Sequence, residues 1–276
     1  MSRLKRFLRT YTPFTRAGMQ EMVAYRVNFI CFFIGEIMSA FIMYFVWKAV
    51  FLSSKSETFM GFSMEDMVVY LFISFLTGYL TYSDGAFAVG EEIIEGSIAM
   101  RMIKPCSFEM CFLFQELGNR LAGAALITSP LLIGGVEIYR WVVTGTVRFN
   151  IVLFLLYVLS MIIAYMISFY FNVIYGFMAF FFKNLWGTTL VKETLVNFLS
   201  GATIPLAFLP QGLAMVLNFL PFASLSYTPV MIYMGMYSPV EILWHMGLQV
   251  FWMLVMMGLS KLVWNSAVKH LSVQGG

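Results

Sequence analysis

Long apolar runs separated by short polar segments are the feature that most limits what this chain can fold into. A helix needs about 20 mostly apolar residues to cross the hydrocarbon core of a bilayer. Runs of this kind recur, and we predict six spans, at 29–52, 67–82, 108–136, 151–180, 194–210 and 242–264. Only 11% of the residues are charged, against roughly a quarter in soluble domains. The predicted fold class is therefore an all-α integral membrane protein, with a single transmembrane domain over 1–276.

The positions of lysine and arginine predict the orientation, because these residues collect in cytoplasmic loops. Six spans put both termini on one side. With the N-terminus inside, Lys48, Lys55, Arg140 and Arg148 fall on the outer side, Arg120 is ambiguous, and the other basic residues face the cytoplasm. Because the basic residues mark membrane edges, the net charge of +3 does not indicate nucleic-acid binding.

The N-terminal segment, 1–27, is basic and lacks the continuous apolar stretch of a secretory signal. Leu4, Phe7 and Leu8 alternate with basic residues, which is typical of a short helix lying on an anionic membrane surface. We predict an interfacial helix here, and a solvated basic tail fits the residues equally well.

A short apolar piece follows the fifth predicted span. Residues 211–222 lie between Pro210 and a second proline, Pro221, and are too few to cross a bilayer. No charged residue lies between Glu193 and Glu241, so this outer region can enter the membrane without burying an ion. We predict a re-entrant outer helix at 211–222, and one kinked span followed by a plain loop is the alternative.

A compact polar segment, 90–105, lies between the second and third predicted spans, on the cytoplasmic side. Its polar and helix-breaking residues are Glu91, Glu92, Glu95, Gly96, Ser97, Arg101, Lys104 and Pro105. Gly96 can end the helix that extends from the second span, and Ser97 can then cap a new short helix. Ile94, Ile98 and Met102 would form its apolar face. Such a segment can contact a soluble partner, and an ordinary well-capped loop is the alternative.

Signatures of catalysis are absent from the sequence. It contains no Gly-x4-Gly-Lys-Ser/Thr loop for nucleotide phosphates and no Gly-x-Ser-x-Gly elbow. Its two histidines, His245 and His270, are too far apart to suggest a metal site. Its three cysteines, Cys31, Cys106 and Cys111, show no metal spacing and no disulfide framework. We therefore expect neither enzyme activity nor a cofactor in this chain.

Ionisable residues within the predicted spans are few, and each is a functional candidate by default. Glu36 in the first span could hold a proton or a cation, or pair with a neighbouring helix. Glu116 and Arg120 are four residues apart, so they share a helix face and are predicted to pair with each other.

Three groups of residues resemble one known family. They are GSI at 96–98 with KP at 104–105, the pattern LSG (199–201), IPL (204–206), Pro210, LPF (220–222), Pro229 and Gly235, and the final GG at 275–276. With them the chain is similar to the ABC-type exporter permeases of the second membrane class, in the short six-span branch found in bacteria. The resemblance covers essentially the whole chain.

The resemblance implies a permease subunit of the bacterial cell membrane, multi-pass, with cytoplasmic termini. Residues 90–105 would rest as a coupling helix on a separate ABC ATPase subunit, which binds ATP and magnesium. The second and fifth spans of two permease chains, identical or a sister pair, would line the route. Thr77, Asn197, Ser200 and Thr203 then become candidates for the translocation path. Hydrogen bonding between helices explains these side chains equally well.

Two other function classes fit the residues alone. An ATP-independent secondary carrier would show internal inverted repeats and several intramembrane charges, and neither is evident in the sequence. A non-transporting membrane anchor is the other alternative. As cargo, hydrophobic drugs, antimicrobial peptides, lipids and polysaccharide intermediates are all open.

Overall fold

Helices form nearly all of the regular structure in the described part of the chain. The computed structural model describes residues 3–54, 58–102, 106–121, 129–145, 149–182 and 185–267. The helices are α1 (Arg3–Ala24), α2 (Arg26–Ser53), α3 (Met64–Thr81), α4 (Gly85–Ile94), α5 (Ile98–Met102), α6 (Phe108–Arg120), α7 (Ser129–Thr144), α8 (Ile151–Gly176), α9 (Trp186–Leu199), α10 (Gln211–Phe219), α11 (Tyr227–Met234) and α12 (Pro239–Ala267). Short 3-10 turns occupy Phe177–Phe180 and Leu206–Phe208.

A tight hairpin turns the chain between α2 and α3. Its strands, β1 (Thr58–Phe59) and β2 (Phe62–Ser63), pair in antiparallel fashion. Met60 and Gly61 between them have φ angles of 50° and 85°, and positive φ at both central residues is what a type I′ turn requires. The Ser63 hydroxyl then accepts a 3.1 Å hydrogen bond from the Asp66 amide, which fixes the start of α3.

Three helical stretches among the described residues are long and apolar enough to cross a membrane. They are Arg26–Ser53, Ile151–Phe180 and Pro239–Ala267. These stretches match the first, fourth and sixth predicted spans, and α3 matches the second to within three residues at each end. The third predicted span, 108–136, contains α6 and the first part of α7, and residues 122–128 between them lie outside the described residues.

The fifth predicted span needs correction, because 194–210 is not one helix. α9 begins earlier, at Trp186, and ends at Leu199. Gly201 then has a φ of 78°, a left-handed conformation that terminates helices. The helix includes Lys192 and Glu193. Because their charges interrupt the apolar run in the sequence, the span was predicted to begin only after them, at residue 194. The predicted short helix at 211–222 is present as α10, which ends at Phe219.

The most apolar of the three long helices, α8, lies at the centre of the fold and contacts α3, α4, α11 and α12. One buried cluster joins α3, α8 and α11 and includes the fully buried Tyr70, Tyr157 and Ile232. A second cluster joins α4, α6, α8 and α12 and includes the fully buried Ile98 and Phe169. By contrast, α2 and α9 expose most of their apolar side chains.

The N-terminal helix α1 lies directly on α6, and two glycines allow the close approach. A Cβ at Gly18 would collide with the carbonyl oxygen of Gln115, and a Cβ at Gly118 would collide with that of Thr15. Tyr11 of α1 is buried, and its hydroxyl accepts a 3.1 Å hydrogen bond from the Ser107 amide. The segment predicted as an interfacial helix is thus a helix docked on α6, with Lys5, Arg6, Arg9 and Arg16 exposed.

Candidate functional site

The predicted coupling segment forms two helices joined by a sharp reversal. α4 ends at Ile94, and Gly96 has a φ of 76°, in the left-handed region. The Gly96 amide donates to the Ile93 carbonyl at 3.2 Å, and α5 begins two residues later at Ile98. No atom lies within 4 Å of a Cβ built at Gly96, so its backbone conformation alone favours glycine. The break predicted at this position is present.

The surface of this segment is acidic and partly apolar. Glu91 and Glu95 are exposed, Glu92 is half-buried, and Met100 of α5 is 68% exposed. Arg101 lies within α5, and the predicted Lys104 and Pro105 lie outside the described residues. The described part of the segment therefore presents carboxylates and a methionine at the protein surface.

Two details of the predicted segment need correction. Ile98 is fully buried, but Ile94 is 49% exposed, so the two do not share a buried face. The turn at Gly96 causes this difference, because it rotates α5 relative to α4. The Ser97 hydroxyl donates to the Glu92 carbonyl at 3.4 Å, whereas the prediction had it accepting from α5. Ile98 thus anchors α5 to the protein interior, and Ser97 ties the reversal back to α4.

Glycines hold α4 tightly against the end of α8. A Cβ at Gly90 would lie 2.6 Å from Leu185 Cδ1, and one at Gly176 would lie 2.9 Å from Val89 Cβ. Gly85 also lies close to α8, since its Cβ would lie 3.3 Å from Val173 Cγ2. Contacts this short leave no room for a side chain at the helix crossing. The helix that carries the acidic residues is therefore packed closely against the central helix of the fold.

A carboxylate on α6 holds the junction between α3 and α4. Glu116 accepts hydrogen bonds from the Ser83 hydroxyl at 3.0 Å, the Tyr165 hydroxyl at 3.1 Å and the Asp84 amide. Ser83 and Tyr165 are both buried. One side chain thus joins the residues between α3 and α4 to α8.

The second residue of the predicted pair, Arg120, bonds to the same junction. It forms an ion pair with Asp84 at 3.5 Å and donates to the Tyr79 carbonyl at 3.3 Å. Its guanidinium lies 5.5 Å from the ring centroid of Tyr79 and 5.1 Å from that of Tyr82. The predicted Glu116–Arg120 ion pair is therefore wrong. Each residue binds a partner on α3 or at the start of α4, which sequence spacing could not show.

Charged residues of α9 extend this polar cluster. The Lys192 ammonium donates to Asn172 Oδ1 on α8 at 2.5 Å and lies 5.0 Å from the Tyr175 ring centroid. Glu193 accepts a hydrogen bond from the Tyr82 hydroxyl at 3.3 Å. Together these residues form a polar cluster that connects α3, α4, α6, α8 and α9 next to the contact between α4 and α8. Its members are Tyr79, Tyr82, Ser83, Asp84, Glu116, Arg120, Tyr165, Asn172, Lys192 and Glu193. Sequence reasoning named only Glu116 and Arg120 of it.

The candidate path residue on α3, Thr77, is fully buried against α8. Its hydroxyl lies 3.0 Å from the Tyr157 hydroxyl and donates to the Ile73 carbonyl at 2.7 Å. A direct contact with cargo would require α3 and α8 to separate.

The other three candidates lie at the end of α9. Asn197 and Thr203 are exposed, whereas Ser200 is buried and donates to the Asn197 carbonyl at 3.2 Å. Asn197 and Thr203 are therefore accessible from outside the protein in this conformation, and Ser200 helps to close the helix.

Hydroxyl groups of α3 hold the backbone that follows α9. Tyr70 donates to the Gly201 carbonyl at 2.5 Å, and Ser74 donates to the Ala202 carbonyl at 3.0 Å. Leu206 and Tyr227 crowd Gly201, with atoms 3.1 Å and 3.2 Å from a Cβ built there. α3 thus anchors the backbone between α9 and the short helix α10.

Glu36 is exposed on α2, beside a shallow cleft between α2, α3 and α7. The cleft is lined by apolar and aromatic side chains as well, namely Phe33, Ile37, Ala40, Phe72, Phe75, Tyr79 and Leu132. Within the described ranges, no cluster of three or more His, Cys, Asp or Glu side chains could hold a metal ion.

Comparison with protein families identified a match. The model described as "ABC-2 family transporter protein" matches residues 37–275, which includes the acidic segment, the polar cluster and the region after α9. No curated protein matched the chain.

Proposed function

Since the chain belongs to the ABC-2 family of transporter proteins, we propose that it is the permease subunit of an ATP-driven exporter in the bacterial cell membrane. Two permease chains, identical or sister, form the translocation path, and each rests on a separate ATPase subunit that binds ATP and magnesium. The chain itself supplies the path and the mechanical contact. Family membership already establishes that the chain is a membrane-embedded component of a transporter.

The observation that carries the proposal is the close packing of the helix that presents an exposed acidic surface. Glu91 and Glu95 reach solvent at the end of a helix whose other side is packed on α8 at Gly176 and on Leu185 at Gly90. A surface that is exposed and also stiffly attached can receive a push from a soluble subunit and pass it on. An ordinary solvated loop would not need glycine contacts with a central helix.

The polar cluster links α4, which carries the acidic surface, to the membrane helices, so that movement of α4 is transmitted to them. Glu116 bonds to Ser83 and Asp84, just before α4, and to Tyr165 of α8. Movement of α4 would therefore act on α3, α6 and α8 together. α3 in turn holds the backbone after α9 through Tyr70 and Ser74. This chain of contacts supports coupling between the acidic surface and the outer end of the protein.

The exposure of α9 supports pairing with a second permease chain. Among its residues only Thr189 is buried, and Trp186, Val191 and Leu195 are each more than half exposed. A second chain placed against this helix would enclose Asn197 and Thr203 between two subunits. These residues are the part of the predicted path that the structure leaves accessible.

Purification of the chain in mild detergent from its native membrane tests the partner. We expect an ABC ATPase subunit to purify with it and the complex to hydrolyse ATP. A chain that purifies without any ATPase and moves cargo down an ion gradient in vesicles would overturn the proposal in favour of a secondary carrier.

Charge substitutions test the acidic surface. We expect the double variant Glu91→Lys, Glu95→Lys to lower the ATP turnover of the reconstituted complex at least several-fold, because it reverses both exposed charges. The double variant Glu91→Gln, Glu95→Gln should have a smaller effect, since it removes the charges without opposing them. Both variants should insert into the membrane normally. Unchanged turnover and unchanged ATPase binding in the lysine variant would place the coupling contact elsewhere.

A further inference from the structure

Two thiols lie almost in contact immediately after the acidic segment. The Cys111 Sγ lies 3.3 Å from the Cys106 Sγ. Cys106 is half-buried in the residues before α6, and Cys111 is 3% exposed on the first turns of that helix. The sequence analysis assigned no role to either cysteine, and the proposed function uses neither.

We propose that Cys106 and Cys111 are a redox-sensitive thiol pair that closes to an intrachain disulfide when peroxide oxidises it. A disulfide bond is about 2.05 Å long, so the two sulfur atoms need to approach each other by only a little over 1 Å. The approach is local, because the two residues are separated by four others. A cytoplasmic position agrees with this chemistry, since disulfides in the cytoplasm are usually transient and redox-sensing.

The difference in exposure assigns a role to each thiol. Cys106 can meet an oxidant from solvent, whereas Cys111 is shielded by the protein. Hydrogen peroxide converts the Cys106 thiol to a sulfenic acid and releases one water. The Cys111 sulfur then attacks that sulfur, the S–S bond forms, and the sulfenic oxygen leaves as a second water. A dithiol reductant returns the pair to two thiols by exchange.

The bridge would close at a point where three helices meet. The Ser107 amide, inside the ring, donates to Tyr11 of α1. Glu109, also inside it, accepts a 2.7 Å hydrogen bond from Ser260 of α12. Because α1 and α12 hold the ring residues, closing the bridge should draw Cys106 toward α6. Cys106 directly follows residues 90–105, so the bridge would restrain one end of the coupling segment.

Oxidation of the full-length chain in nanodiscs, in a Cys31→Ser background, tests the thiol pair. Dilute hydrogen peroxide should reduce the number of thiols that react with maleimide, counted after denaturation so that the buried Cys111 is included, from two to none. The peptide containing 106–111 should become lighter by two hydrogens, and dithiothreitol should restore it. Matched controls carry Cys106→Ser or Cys111→Ser and cannot form the bridge. Oxidation of Cys106 to sulfinic acid with Cys111 still a thiol, or a bridge between two chains, would overturn the inference.

A second measurement concerns regulation and rests on the proposed function. Closing the bridge should lower the ATP turnover of the permease–ATPase complex several-fold, with recovery on reduction and no change in the Cys106→Ser control. A bridge that forms without changing turnover would overturn the regulatory role alone. The acidic-surface variants test the proposed function separately, because they contain the unaltered thiol pair.

Discussion

Gly18 of α1 and Gly118 of α6 each lie against the backbone of the other helix, so the two helices touch without an intervening side chain. Gly18 abuts the Gln115 carbonyl and Gly118 abuts the Thr15 carbonyl. This reciprocal contact brings Tyr11 within reach of the Ser107 amide. The N-terminal helix is therefore a packed element of the fold. Its contribution to the stability of the protein can be measured by substitution at the contact.

The close contact predicts that Gly118→Ala destabilises the protein. The new methyl group would collide with the Thr15 carbonyl, which we expect to cost about 1–3 kcal/mol. Gly258→Ala on α12 is the matched control, because nothing lies within 4 Å of a Cβ at that site. Thermal unfolding in detergent should show a lower midpoint for Gly118→Ala and an equal or higher midpoint for Gly258→Ala. Equal shifts in both variants would contradict the packing of α1 on α6.

Two glycines with nearly the same backbone conformation should respond differently to alanine. Gly96 and Gly201 have φ angles of 76° and 78°, so alanine is strained at both by about 1–2 kcal/mol. At Gly201 the methyl group also meets Leu206 and Tyr227, whereas the space at Gly96 is open.

We therefore expect Gly201→Ala to lower the unfolding midpoint clearly more than Gly96→Ala does. Gly61→Ala, with a φ of 85° and open space, should resemble Gly96→Ala in stability. ATP turnover should distinguish these two, since only Gly96 lies in the proposed coupling segment. A loss of turnover in Gly61→Ala of the same size would show that backbone strain alone explains it.

Removal of the Tyr70 hydroxyl should loosen the region after α9. Tyr70 is fully buried, and Tyr70→Phe would leave the Gly201 carbonyl without this donor, at a cost of about 1–2 kcal/mol. Hydrogen exchange should become faster in residues 200–210. Tyr25→Phe is the control, because Tyr25 is 64% exposed between α1 and α2. Unchanged exchange in Tyr70→Phe would mean that packing alone holds this segment.

The carboxylate of Glu116 should be coupled energetically to Tyr165. Glu116→Ala leaves three donors without this acceptor, and we expect it to cost about 2 kcal/mol or more. In a double-mutant cycle with Tyr165→Phe, the two changes should deviate from additivity by about 0.5–3 kcal/mol. The distant Tyr25→Phe should be additive with Glu116→Ala. If the changes were additive in both cycles, Glu116 and Tyr165 would not be coupled and Glu116 would not hold the junction between α3 and α4.

Apolar run length predicted the helices that contain few charges, because hydrocarbon thickness sets their length. α8 and the turn after it occupy the predicted 151–180, and α2 and α12 extend their predicted spans by at most three residues at either end. The same reasoning placed the start of α9 too late. Lys192 interrupts the run, yet it is held by Asn172 and the Tyr175 ring on α8. Tertiary contacts of this kind are not visible in a single sequence.

The candidate site was predicted where it depends on backbone conformation and was missed where it depends on contacts between helices. Gly96 lies at a reversal of the chain, and a glycine that follows several charged residues is a direct sequence signal for such a break. Helical spacing paired Glu116 with Arg120, but in the fold both residues bind the segment around Asp84. Ser83 and Tyr165 carried no local signal of their role, because their partner lies on another helix.

The hydroxyls of Tyr70 and Ser74 bond to main-chain carbonyl oxygens of residues 201 and 202, and every amino acid has such an oxygen. Substitution of Ala202 or of the exposed Thr203 would leave these acceptors in place. Variants of this protein could therefore exchange the exposed side chains that follow α9, while the same two anchors keep the backbone of this segment in place.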